Sequence, residues 1–119
     1  MKEHVQNTVD LSDTEKKLAA ATKLQASTLN EVNAAKARVS TKDTQMEALR
    51  ADRDTSAAKL ENYNSAVNAY DIAVAHQKAQ TDALDAATAD VKEWTAKQTE
   101  LKAWLAWGEA RITNTYQAH

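Results

Sequence analysis

The side chains that could act in catalysis or bind a metal ion are few and scattered along this chain. The three histidines are His4, His76 and His119, and none has a carboxylate or a second histidine three or four residues further on. A metal site on a helix needs two ligands at that spacing. We therefore interpret the histidines as solvated surface residues and expect no bound metal ion and no cofactor.

Paired carboxylates at helical spacing, Asp10 with Asp13 and Asp82 with Asp85, are the other possible catalytic groups. A general acid needs a carboxyl group that is desolvated in a pocket, whereas these aspartates lie among alanine, threonine and lysine. Cysteine is absent, and no nucleophile elbow or phosphate-binding loop is present. These observations predict that the protein is not an enzyme.

The most informative local feature is a group of tryptophans in the last quarter of the chain. Trp94 lies on one stripe with the apolar residues Leu101 and Leu105, whereas Trp104 flanks that stripe and Trp107 lies farther round the helix. One interpretation is packing against two neighbouring helices, a second is a docking site for a protein partner, and a third is a helix at a membrane surface. The predicted docking residues are Trp94, Trp104, Trp107 and Arg111.

The composition indicates which elements carry these residues. The chain of 119 residues has one glycine and no proline, and alanine, the best helix former, makes up about a fifth of it. Because tight β-turns and phosphate-binding loops need glycine, these counts exclude sandwiches, barrels and Rossmann-type folds. The sequence predicts a single all-α domain of long helices that form a coiled coil or slender helical bundle.

A seven-residue repeat supports this fold class over most of the chain. Two rows of residues, three and four apart, follow one side of a helix and predict the seam of an oligomeric coiled coil. Past residue 81 the first row turns polar, and Ala87, Trp94 and Leu101 continue the stripe one position earlier. The predicted oligomer seam consists of Leu18, Val32, Val39, Met46, Leu49, Leu60, Tyr63, Val67, Tyr70, Val74, Leu84 and Val91.

Helix boundaries are predicted from capping residues. Ser12 and Glu15 form a capping box, which places a helix start at Asp13 and leaves residues 1–11 as an N-terminal arm or short helix. Residues 12–107 form the helical region. The tail 108–119 begins with Gly108, a residue type that commonly ends helices, and it either leaves the helix there or continues it, since Ile112 lies on the apolar stripe. Breaks are possible near 40–44, the best candidate, near 50–56 and near 78–82. The uninterrupted repeat favours one or two long helices over a compact three-helix bundle.

The charge pattern narrows the class of partner. A net charge of -2 with interspersed acidic and basic residues predicts no nucleic-acid binding, and no apolar run is long enough for a membrane span or a signal peptide. We expect a soluble protein that is cytoplasmic or assembled into a particle. The favoured function is a homo-oligomeric structural or assembly component, as in a virus particle. The alternative is a small regulatory or inhibitory module that docks a protein through its tryptophans.

Overall fold

The computed structural model describes the backbone of residues 2–117 and the side chains of residues 4–109. Helix α1 spans Lys2–Arg50 and helix α2 spans Ala57–Gln117. No strand occurs in the described backbone. The prediction of an all-α fold built from long helices is confirmed.

The turn between the helices occupies residues 51–56 and uses neither glycine nor proline. Thr55 stabilises it by donating its backbone N–H (3.0 Å) and its hydroxyl (2.7 Å) to the carbonyl oxygen of Asp52. Ser56 then caps α2, because its Oγ accepts the backbone N–H of Lys59 at 3.1 Å. The chain thus reverses where the repeat is weakest, at a stretch that offers almost nothing apolar to bury.

The other two candidate breaks, residues 40–44 and 78–82, are wrong because both lie inside helices. Around the first, Val39 and Met46 are half-buried, so packing against the other helix keeps the backbone helical. At the second, Lys78 and Asp82 form an ion pair of 2.9 Å one helical turn apart. The charges that suggested a helix end and a helix start therefore support one continuous helix.

The predicted start at Asp13 is also wrong, since α1 begins at Lys2. His4, Asn7 and Leu11 continue the row of half-buried positions upstream of the capping box, and this burial extends the helix. Gly108 does not end α2, which continues to Gln117, and the glycine has no positive φ. Residues 2–11, predicted as part of an arm or a short helix, and the backbone of the predicted tail as far as residue 117 are thus helical.

The chain divides into two compact units, each made of a segment from both helices. The turn unit is Ala26–Ala86, a helical hairpin that contains the turn. The terminal unit is Met1–Gln25 with Ala87–His119. Its segments run antiparallel, because Lys17 lies over Trp94 whereas Gln25, further along α1, donates to Thr88, which lies earlier in α2, at 3.1 Å.

Small side chains dominate the interface between the segments of each unit. In the turn unit the buried residues are Thr28, Val32, Ala35 and Ala73. Alanine and threonine allow two helices to approach closely, which explains how a chain without phenylalanine forms a core. In the terminal unit the buried residues are Thr14, Ala87 and Leu101.

The predicted seam mostly faces the other helix of the same chain. Leu49, Leu60 and Val74 are exceptions, because their side chains are exposed. In α2 the stripe has already moved one position earlier at Ala73, well before the predicted shift at Ala87, because a helix with 3.6 residues per turn drifts against a seven-residue repeat. The other seam residues are buried or half-buried: Leu18, Val32, Val39, Met46, Tyr63, Val67, Tyr70, Leu84 and Val91.

Candidate functional site

The candidate site is the pair Trp104 and Trp107 on α2, in the terminal unit. Their ring centroids are 5.8 Å apart and the rings meet edge to face, at 87°. The helix sets this arrangement, since residues three apart lie on one face. Trp104 is 52% and Trp107 53% exposed. The geometry therefore leaves two large aromatic rings, held against each other, in contact with solvent.

Trp94 has a different role from the other two tryptophans. It is half-buried, and the Nζ of Lys17 lies 4.8 Å from its ring centroid, within the range of a cation–π contact. The sequence prediction grouped all three tryptophans, but the structure separates a structural Trp94 from the exposed pair. Arg111, the fourth predicted docking residue, belongs to α2 by its backbone, and its side chain lies outside the described residues.

Three charged residues lie on the same face of α2 as the exposed tryptophan pair. Glu93, Lys97 and Glu100 precede Trp104 and Trp107 at alternating spacings of four and three, which places all five on one exposed stripe. Among the described residues, neither glutamate forms an ion pair. We call these five residues the tryptophan stripe.

Two aspartates of helix α1 lie on the face of that helix that is next to the tryptophan stripe. Asp10, Asp13 and Lys17 lie on one face of α1 because they are three and four residues apart. The contact of Lys17 with Trp94 places that face beside α2. Asp10 accepts a hydrogen bond from Gln6 Nε2 at 2.9 Å, and Asp13 has no ionic partner in the described part of the chain.

Gly108, the only glycine of the chain, lies against the side chain of His4 in the same unit. A Cβ atom at Gly108 would lie 2.9 Å from the Nδ1 of His4, closer than such atoms normally approach. This Nδ1 is buried and has no hydrogen-bond partner among the described atoms. From the sequence, the glycine was a possible helix end and the histidine a surface residue. The sequence did not reveal their contact because no local pattern links residues so far apart.

The turn unit carries a second cluster of polar side chains, around Tyr63. The guanidinium of Arg53 lies 5.4 Å from the Tyr63 ring centroid. The phenol of Tyr63, a hydrogen-bonding group near Arg50, and the carboxylate of Glu47 raise the pKa of Arg50 above its ordinary value. Carboxylates lie against the basic groups here: Glu47 is 3.5 Å from Arg50 and Asp52 is 3.6 Å from Lys59. The cluster is therefore internally neutralised and serves to hold the turn.

The turn unit also carries a depression on its surface. A cavity of about 440 Å³ beside Leu60 is a wide, shallow depression along one face of α2, between Ala57 and Asn68. Within the described residues, no group of three or more histidine, aspartate or glutamate side chains could hold a metal ion. No described helix has an apolar stretch of the length needed to cross a membrane.

Comparisons with known proteins found no match. No protein family, no curated protein and no solved structure matches this chain. The function proposed below rests on the physical features of the chain itself.

Proposed function

We propose that this protein is a non-enzymatic helical binding module that docks a protein partner through Trp104 and Trp107. The observation that supports the proposal is the exposure of this T-shaped ring pair, with more than half of each residue open to solvent. Tryptophan is enriched at the residues that supply most of the free energy of protein binding. The two rings also contact each other, which restricts their rotamers and lowers the side-chain entropy lost on docking.

The location of the seam supports this function over the favoured oligomer. Most of the apolar repeat is occupied between α1 and α2 of one chain, and Ala35 and Ala73 are buried there without a second copy. An oligomer is therefore not needed to cover the repeat. The exposed tryptophans are not covered in this way, and they are the largest apolar side chains that the packing of the terminal unit leaves in solvent.

The test compares three forms of the full chain as bait in quantitative affinity capture: the native protein, the double variant Trp104→Ala/Trp107→Ala, and Ile72→Ala. Ile72 is a matched control because it is an apolar residue of the turn unit that is 62% exposed. We expect a protein that the native chain and Ile72→Ala retain and the tryptophan variant loses. Its affinity, measured with purified components, should fall by at least about tenfold in the tryptophan variant.

Circular dichroism and urea unfolding of each variant provide the folding control. Unchanged helicity with lost capture supports docking through the rings. Equal capture by all three baits contradicts the proposal, and so does unfolding of both single variants, Trp104→Ala and Trp107→Ala, because the rings would then belong to the core.

A second candidate function is the self-assembling structural component that the repeat first suggested. The observation in its favour is a row of apolar residues on α2 of the turn unit, Leu60, Val67 and Val74, of which the first and last are exposed. A second copy of the chain could cover this row with its own. Sedimentation over a wide concentration range should then show an oligomer that Leu60→Lys dissociates. A monomer at every concentration would remove this candidate.

A further inference from the structure

A second surface of α2, in the turn unit, has nearly the same spacing of side chains as the tryptophan stripe. It includes the depression beside Leu60, much of which lies on one face of the helix. Residues three and four apart share a helix face, and Ile72, which continues this face, is 62% exposed. We call this surface the receptor face, and its residues are Ala57, Glu61, Asn64, Asn68 and Ile72.

The tryptophan stripe and the receptor face carry complementary charges. Lys97 on the stripe and Glu61 on the receptor face are both exposed, and neither forms an ion pair among the described residues. They would pair across two copies of the chain whose α2 helices lie side by side and parallel. Such an exposed pair supplies little free energy, but it favours one register of the two helices.

In that register the rest of the two faces match residue by residue. Both helices rise by 1.5 Å per residue, so their side chains stay level along the contact. Glu100 lies opposite Asn64, whose amide group can donate a hydrogen bond to the carboxylate. Trp104 lies opposite Asn68, whose carbonyl oxygen can accept the indole N–H.

Trp107 reaches the apolar end of the receptor face. It lies level with Asp71 and Ile72 of the other copy. Trp107 is 53% exposed and Ile72 is 62% exposed, so both would remove apolar surface from water on contact. The ring pair therefore supplies the apolar part of this interface, and the charges on its N-terminal side set the register.

The remaining charges of the stripe do not oppose the contact. Glu93 lies opposite Ala57, in the first turn of α2, where the helix dipole favours a carboxylate. Arg111 follows Trp107 by four residues and falls opposite Ala75, and its side chain lies outside the described residues. Within the described parts of the two faces, no two carboxylates lie opposite each other.

We propose that the tryptophan stripe docks on the receptor face of a second copy of this chain, with the two α2 helices parallel. Each copy carries both faces, so the contact is heterologous and copies add in one direction. Five residues a side are far fewer than the roughly 20–30 of a standard interface, so the association is weak. The inference goes beyond the proposed function because it needs no foreign partner, and the two interactions compete for the same rings.

The first experiment is sedimentation of the purified full chain from micromolar to millimolar concentrations. We expect the average mass to rise steadily, without a plateau at the dimer. Trp104→Ala/Trp107→Ala and the receptor variant Asn64→Glu/Ile72→Glu, which puts a carboxylate opposite Glu100, should each weaken association by at least about tenfold. Asn33→Glu, which adds the same charge at an exposed site of α1, should leave it unchanged.

Mixing the two weakened variants is a sharper test. The tryptophan variant keeps its receptor face and the receptor variant keeps its tryptophan stripe, so the mixture should form a one-to-one complex and nothing larger. The register is tested by charge reversal. Lys97→Glu and Glu61→Lys should each weaken association by about fivefold, and the chain carrying both should recover it.

The outcomes separate this inference from the proposed function. A monomer at every concentration overturns self-docking, and the docking function still stands if a foreign protein is captured through the tryptophans. A closed dimer, a mixture that forms no complex, or association that Leu60→Lys abolishes and the tryptophan variant retains also overturns it. Circular dichroism reports the helicity of each variant. Should the tryptophan variant lose helicity, the charge reversals at exposed positions decide, and failure of the double reversal to recover association overturns the inference.

Discussion

The two units of this protein are built from one repeat, yet their surfaces are completed in different ways. In the turn unit, acidic and basic side chains pair with one another, as in Glu47 with Arg50 and Lys78 with Asp82. All the ion pairs formed by the described residues belong to this unit. Tyr63, the aromatic residue nearest the turn, interacts with two arginines: Arg53 lies over its ring and Arg50 lies near its phenol.

In the terminal unit, by contrast, carboxylates lack ionic partners among the described residues and aromatic rings are exposed. Its carboxylates Asp13, Glu93 and Glu100 have no ionic partner in the described part of the chain, and two of its tryptophans are exposed. Both units bury alanine and threonine in the same way, so the difference does not come from the core. The comparison shows that the repeat dictates the packing of the helices, while the positions outside the repeat are free to carry a binding function.

The largest expected effect tests whether the tryptophan pair is surface or core. Leu101 lies in the same helical turns but is only 4% exposed, so Leu101→Ala should lower the free energy of unfolding by about 2–4 kcal/mol. Trp104→Ala and Trp107→Ala should each change it by about 1 kcal/mol or less. Urea unfolding followed by circular dichroism measures all three. Tryptophan variants as unstable as Leu101→Ala would make the pair part of the core and remove the contrast between the units.

A smaller effect on the free energy of unfolding is expected where Gly108 contacts His4. Gly→Ala inside a helix normally stabilises by about 1 kcal/mol, but a Cβ at Gly108 would press on His4. We therefore expect Gly108→Ala to stabilise the His4→Ala variant by about 1 kcal/mol more than it stabilises the native chain. Unfolding of the two single variants and the double variant gives this coupling. Equal gains in both backgrounds would show that the two residues do not touch.

The smallest effect compares one carboxylate from each unit. Asp82→Asn removes the ion pair with Lys78 and should cost about 0.3–0.5 kcal/mol, an effect that shrinks as salt is added. Asp13→Asn removes an exposed charge with no described ionic partner, and α1 begins too far upstream for the helix dipole to act on it. We expect no change within a few tenths of a kcal/mol at either salt concentration. A salt-sensitive loss at Asp13 would indicate a stabilising ion pair and weaken the contrast between the two units.

Much of the fold could be predicted from residue types and spacing. The repeat predicted the inward side of α1, including Val32 and Val39, and it continued through the false break at 40–44. The helix ends were harder to predict, because capping residues such as Ser12 and Thr44 also occur inside helices that packing holds together. Leu60 and Val74 were placed inward because a strict seven-residue repeat ignores the drift of a real helix.

The site was predictable only in part. The sequence predicted that Trp104 and Trp107 lie off the main stripe, because helical spacing alone defines the face of each residue. It could not predict that Lys17 covers Trp94 or that His4 lies against Gly108. Those contacts depend on which residues of α1 and α2 come level with each other.

The sequence by itself determined that this chain is helical, that its helices are long, and which side of α1 faces inward, because propensity and periodicity act over a few neighbouring residues. Only the tertiary structure decided that the apolar rows meet within one chain, that the reversal falls at residues 51–56, and that two of the three tryptophans are left in solvent. Each of these depends on the antiparallel pairing of residues far apart in sequence, and local preferences cannot encode that pairing.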